Sequence, residues 1–343
     1  MTSQGDGRGV SRRKFVGGAL AGGAALAIGQ VPGGARAQGS PLVLRAISSW
    51  EKTISFSKPL LDLIDRVNRN SAGRLRIDWI GGPEAVPIFQ GADAVSKGVF
   101  DMVLSSPPFF ASSIPESNAL FLRDDLTVPG LYKSGIVKAL DEVSRERIGV
   151  AFIGVPASGF GFTFFMRQQP QNLDSFKGKK IRTTPLYTPI LRALGASTVT
   201  IAPAEVYPAL ERGVVDGVAW PASGILERKF HEVAKYMVLP TYYDVRLALL
   251  MNARAYDRMP ADLRKVLLDS IRETEEWGAK LFKQESASEI AEVQRLGVVV
   301  VTLSPAEGKK FLKMADDALW EQVVKDSPKH GLRLKELFAK AKN

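Results

Sequence analysis

The sequence predicts an α/β protein built as two domains. Three observations carry this reading. Strand and helix patterns alternate along the chain in two successive cycles, as expected where helices pack on a largely parallel sheet. A cut after Ala37 would leave 306 of the 343 residues, more than one core usually serves. Residues 260–294 hold no proline after Pro260 and few glycines, so they read as one helix approaching ~50 Å at about 1.5 Å per residue.

In the first cycle, Pro41 to Ser48 is an apolar strand. Ser57 to Ala72 is a helix, with Leu60, Leu61, Leu63, Ile64 and Val67 at helical spacing and Gly73 as its stop. Leu75 to Ile80 alternates as a strand and ends at Gly81-Gly82-Pro83. A helix over Ile88 to Lys97 and a short strand from Met102 to Ser105 complete the cycle. The second cycle begins with a helix over 137–145 and strands over 150–155 and 161–167. Lys180 to Thr183 is then a strand, Thr188 to Leu194 a helix and Thr198 to Ile201 a strand. Ala204 to Glu211 is a helix, Val218 to Trp220 a strand and Leu226 to Ala234 a helix, followed by strands over 236–240 and 246–252. In the long helix, Leu263, Val266, Leu267, Ile271, Trp277, Leu281 and Ile290 form an amphipathic stripe. A strand over 298–302 and helices over 305–324 and 332–341 close the chain.

The N-terminus reads as an address. Ser11-Arg12-Arg13-Lys14-Phe15-Val16 has the twin-arginine form, a Gly/Ala-rich apolar stretch runs to Ile28, and Ala35-Arg36-Ala37 is a cleavage signal. The stretch is too short and glycine-rich for a membrane span. Residues 1–37 are therefore expected to direct export to the periplasm, with an uncleaved anchor as the alternative. The leader contributes +4 of the formal net charge of +10. No cluster of Lys and Arg with aromatics points to nucleic acid. A mildly basic mature chain suits anionic ligands.

The chemistry inventory is sparse. Cys is absent, which excludes disulfides, a thiol nucleophile and thiolate metal ligands. His231 and His330 are the only histidines, and both sit in charged helical contexts that suit surface or capping roles. There is no P-loop and no nucleophile elbow, and Gly159-Phe160-Gly161 is only half of a dinucleotide fingerprint. Nothing assembles a nucleophile, a base and an oxyanion donor. No enzyme, cofactor or metal is expected.

One ordered set of motifs is informative. It comprises Ser71-Ala-Gly73-Arg74-Leu, Val95-Ser-Lys-Gly98-Val-Phe-Asp101-Met, Phe176-Lys-Gly178-Lys-Lys-Ile-Arg182, Leu194-Gly195-Ala196, Glu205-Val-Tyr207, Leu210-Glu-Arg-Gly213-Val-Val-Asp216-Gly217 and Leu250-Met251-Asn252. In this order and over nearly the whole mature chain, the set resembles the periplasmic solute-binding receptors of TRAP transporters. The resemblance implies two α/β lobes joined by crossing hinge strands and a long hinge-spanning helix. Lobe I would hold residues 38–159 with 248–287, and lobe II residues 160–247 with 288–343. It also implies an organic-acid ligand, TRAP permease membrane subunits as partners and a monomeric receptor. An exported enzyme and a receptor feeding a sensor kinase are the alternatives.

The resemblance also implies that Arg182 pairs with the ligand carboxylate. Its planar fork matches that group, and its charge does not titrate away. Two departures from the family pattern change the expected ligand. Phe162 stands near a second ligand-contacting arginine of sialic-acid-type members, and Trp220 near a polar residue that follows the Asp-Gly motif. Phe162 belongs either to the cleft or to a core, and Trp220 is placed in the cleft. One anion clamp in an aromatic wall favours an apolar or aromatic monocarboxylate. Trp50 and Glu51 after the first strand, and Ser105, Ser106 and Phe109 after a later one, are further candidates. Asn252 either touches ligand or satisfies hinge backbone. Tyr242, Tyr243 and Arg246 are candidates at the lobe boundary, with Arg246 a possible second cation.

Overall fold

The computed structural model of the protein describes residues 40–122 and 126–341. The twin-arginine leader and its cleavage signal lie outside the described residues. In chain order the elements of the first half are β1 (Leu42–Ser48), α1 (Lys58–Asn70), β2 (Leu75–Gly81), α2 (Gly91–Ser96), β3 (Met102–Ser105), α3 (Val128–Lys133), α4 (Ile136–Ile148) and β4 (Val150–Ala157). Then follow β5 (Gly161–Met166), β6 (Lys180–Thr183), α5 (Thr188–Ala193), β7 (Ser197–Thr200), α6 (Val206–Glu211), β8 (Gly217–Pro221), α7 (Phe230–Val233), β9 (Tyr236–Leu239) and β10 (Tyr242–Asp244). The tail is β11 (Leu247–Asn252), α8 (Ala253–Arg258), α9 (Ala261–Arg295), β12 (Val299–Thr302), α10 (Pro305–Asp326) and α11 (Pro328–Ala341).

These strands form two sheets, one per lobe. The first has the order β2-β1-β3-β11-β4, and the second β12-β9-β5-β8-β6-β7 with β10 on β5. Both are mixed, which corrects the expectation of largely parallel sheets. The β1–β2, β1–β3, β6–β7, β6–β8 and β9–β12 pairs are parallel. β11 runs antiparallel to β3 and β4, and β5 antiparallel to β8 and β9. The reason is connectivity. The chain passes from the first sheet to the second through 158–160 and returns through 245–246, so these crossing segments run in opposite senses. They bond to each other, Val245 N donating to Phe160 O at 2.7 Å. The long helix α9 supplies the third link, from β11 and α8 of the first sheet to β12 of the second.

α9 has the predicted length, but its buried face is less apolar than its sequence stripe. That face includes Leu263, Leu267, Ile271 and Phe282, and equally Ser270, Thr274, Glu275 and Gly278. Glu275 is buried because it is satisfied: it accepts from Val155 N and Tyr132 Oη at 2.7 Å and from Arg272 at 2.8 Å. Gly278 lets the helix touch β4. A Cβ there would stand 2.1 Å from the Pro156 carbonyl oxygen.

Two local expectations fail. The helix over 226–234 shrinks to α7, because the backbone before it bonds elsewhere. Gly224 N and Leu226 N donate to the Glu289 carboxylate at 2.7 and 2.6 Å, and Lys229 sits at φ +56°. The helix over 88–97 opens as a 3-10 turn, Ile88–Gln90. No helix among the described residues is long and apolar enough to cross a membrane.

Gly278→Ala should destabilise the protein by about 1–3 kcal/mol, because its methyl would meet backbone rather than a mobile side chain. Urea unfolding checks this; an unchanged midpoint would mean that α9 does not pack this tightly on β4.

Candidate ligand-binding site

A small cavity lies where the two sheets face each other. The parallel strands explain its position. β1 and β3 of the first sheet deliver Trp50, Ser106, Pro108 and Phe109 just beyond their carboxyl ends. In the second sheet, β6 and β8 end at Arg182, Thr184, Trp220 and Pro221. Open α/β sheets commonly bind ligands at such strand ends. The crossing strand adds Val245 and Leu247, and Phe56, Phe162, Tyr187 and Pro203 complete the lining.

Arg182 dominates the electrostatics. Its residue is 2% exposed. Nε and Nη2 both donate to the Ile201 carbonyl, at 2.9 and 2.7 Å. A guanidinium has five N–H donors, so three remain: one on Nη2 and two on Nη1. Among the described residues no carboxylate pairs with it. Its Cζ lies 5.1 Å from the centroid of the Trp220 ring, within cation–π range. Burial brings the Arg182 pKa down to about 10, and the nearby charge of Arg228 adds to the effect. The charged form is therefore costly, by on the order of 3 kcal/mol at about 1.4 kcal/mol per pKa unit.

The remaining walls are mostly aromatic. Trp50 packs on Phe56 and Phe109, with ring centroids 5.4 and 5.7 Å apart. Phe162 meets Tyr187 edge-on at 4.9 Å. Tyr187 is kept a neutral phenol, its pKa pushed up by burial. Among the described residues the Trp220 indole N–H is buried without a partner, and the Thr184 hydroxyl lies against the Tyr187 phenol. The site thus offers one unneutralised cation, one unused neutral donor and a surround of rings.

Of the twelve residues singled out in the sequence, Trp50, Ser106, Phe109, Phe162, Arg182 and Trp220 come together here. The other six do not line this cavity: Tyr242 and Tyr243 are buried, Tyr243 donating to the Ala315 carbonyl. Glu51 is paired with Arg228 at 2.8 Å. Ser105 faces Ser49, their hydroxyls 2.8 Å apart. Asn252 holds backbone: Nδ2 donates to the carbonyls of Val95 and Ser96, and Oδ1 caps α8 through Ala255 N. Arg246 donates to the carbonyls of Leu120 and Leu126 and pairs with Asp244, so it supplies no second cation to the cavity. Its place follows from strand alternation: Val245 and Leu247 face the cavity, and Arg246 faces the opposite side. Phe56 and Tyr187 were missed. Both lie in single 3-10 turns, Ser55–Ser57 and Pro185–Tyr187, that open helices; their one signal is that they follow shortly after the ends of β1 and β6.

Comparison with known proteins identifies the family and the fold. A model of the bacterial extracellular solute-binding proteins, family 7, matches residues 49–326. The chain belongs to that family. It is accordingly a binding protein of the TRAP type rather than an enzyme. The receptor is 28% identical over 268 residues to a solute-binding protein of Sulfitobacter sp. (strain NAS-14.1), covering 76% of this chain and 81% of the relative. Its fold superposes with a TM-score of 0.78 on a TRAP transporter solute-binding protein from Bordetella bronchiseptica solved with picolinate and calcium, at 19% identity and with 88% and 92% of the two chains covered. A TRAP periplasmic solute-binding protein from Desulfovibrio salexigens, solved with orotic acid, gives the same TM-score at 20% identity, covering 88% and 98%.

An uncompensated buried cation predicts opposite signs for stability and function. Arg182→Met should raise the unfolding free energy of the ligand-free receptor by about 1–2 kcal/mol, the relieved charge outweighing the orphaned Ile201 carbonyl. The same change should weaken organic-acid binding by roughly 2–5 kcal/mol. Chemical denaturation and calorimetry read the two effects; a destabilised variant that still binds would contradict both.

Proposed function

We propose that this receptor binds a monocarboxylate with an apolar or aromatic body and delivers it to a TRAP permease. The observation that carries the proposal is Arg182, a buried guanidinium with donors to spare and no acid partner among the described residues, set in a ring-lined cavity. One carboxylate neutralises it. The ligand body then meets Trp50, Phe56, Phe109, Phe162 and Trp220, where planar or branched apolar groups pack best. A second carboxylate against those rings would lose its water without a free cation in exchange, at a cost of several kcal/mol. Picolinate and orotic acid, found in the two solved proteins above, are themselves carboxylates on planar rings.

The lobes are assigned as 38–159 with 248–287 and 160–247 with 288–343. Because the cavity takes residues from both sheets, a ligand seated on Arg182 reaches the first sheet's aromatics only when the lobes are shut. Its binding energy therefore selects the closed state. Export by the twin-arginine leader would place the receptor in the periplasm, as a monomer.

Benzoate or phenylacetate should bind at least tenfold tighter than succinate or malate. Trp220→Ala should weaken the aromatic acids by about 1–3 kcal/mol. Calorimetric titration of the four acids decides the matter, and tighter succinate binding would overturn the aromatic-wall reading while leaving the family assignment in place.

A further inference from the structure

A second cation stands close to the cavity and is already occupied. Arg228 lies in the segment between β8 and α7, on the second sheet's side. Its Nη2 donates to Glu51 Oε2 at 2.8 Å, while Nη1 stands 3.4 Å from Oε1, too long to count for much. Among the described residues its buried Nε has no partner. Glu51 directly follows Trp50, a wall of the cavity on the first sheet's side. The pair therefore bridges the two lobes beside the site. A neighbouring contact does the same: Ser55 donates through its backbone N and its hydroxyl to Glu227. The Phe56 ring lies 3.3 Å from where a Cβ on Gly224 would stand, so the two segments are packed together. Among the described residues, Arg228 is also the cation whose charge bears on Arg182. Partial burial pushes the Glu51 carboxyl up, but its hydrogen bonds and the charge of Arg228 together outweigh this and hold it below its usual range.

We propose that Glu51 sets how many carboxylates the receptor accepts, by occupying Arg228, the second cation beside the cavity. The proposal rests on Arg182 being the clamp for the first carboxylate. With Glu51 in place, a ligand's second carboxylate would approach Arg228 only against a like charge already seated there. The Arg228 fork is not saturated, since one strong bond and one long contact leave Nε and part of Nη1 unused. Removing the charge of Glu51 while keeping its shape would release a guanidinium able to take a carboxylate. Selectivity for one carboxylate would then come from a repulsive element as well as from the aromatic wall.

The test uses two acids on one ring, benzoate and isophthalate, titrated calorimetrically into the full receptor. Wild type is expected to prefer benzoate. Glu51→Gln should move the ratio of the two dissociation constants at least tenfold toward isophthalate. The double variant Glu51→Gln with Arg228→Gln should move it back. Taking the ratio removes any general weakening from a looser lobe contact, because that affects both acids alike. A Glu51→Gln variant that still binds benzoate with the wild-type ratio overturns the proposal and leaves the Arg182 clamp standing. Benzoate binding that survives in Arg182→Ala overturns the clamp, and this proposal with it.

Discussion

The structure turns on a charge buried before its partner arrives. Arg182 sits at the end of β6 with two of its donors fixed by the Ile201 carbonyl and no carboxylate within reach among the described residues. Proteins usually pair such a cation, because removing one from water costs several kcal/mol. Here the cost is tolerated because the fold fixes the arginine in other ways: its backbone lies between β7 and β8, and its guanidinium faces the Trp220 ring. What the folded chain leaves unsatisfied, an incoming organic acid can satisfy. On the proposed reading, affinity would come from ending a standing electrostatic penalty as much as from new contacts.

The two-sheet architecture gives that charge its setting. Parallel strands from both sheets end at one place, so residues distant in sequence converge there. The crossing strand divides its side chains between two environments. Val245 and Leu247 line the cavity, and Arg246 is spent on backbone carbonyls on the other side. A single cation in an aromatic enclosure is thus a consequence of strand alternation as well as of residue choice. α9 ties the lobes together through contacts that are partly polar, with Glu275 and Glu289 each receiving backbone N–H groups from neighbouring segments.

Much of this was legible in the sequence, and the exceptions have physical causes. The strand ends bearing Trp50 and Trp220 could be located because each strand is a short, mostly apolar run with a clear stop, and Arg182 because it closes the Phe176–Arg182 motif. Phe162 could be named but not placed, since an apolar residue inside an apolar strand reads the same toward a core or a cleft. Phe56 and Tyr187 sit in single 3-10 turns, which have no periodicity to read. The segment before α7 looked helical because its composition is helical; its hydrogen bonds go instead to Glu289, a residue 63 positions beyond Leu226. Glu51 was found as a residue near the cleft, but its partner Arg228 lies 177 positions away, and no local pattern links them.

A crystal structure of the benzoate complex tests the central claim most directly. The side-on edge of Arg182, Nε with Nη2, is taken by Ile201, so the carboxylate should be found on the end formed by Nη1 and Nη2, with its oxygens about 2.7–2.9 Å from those nitrogens. The ring should lie among Trp50, Phe162 and Trp220. A carboxylate bound elsewhere, with Arg182 still holding only the Ile201 carbonyl, would contradict the account.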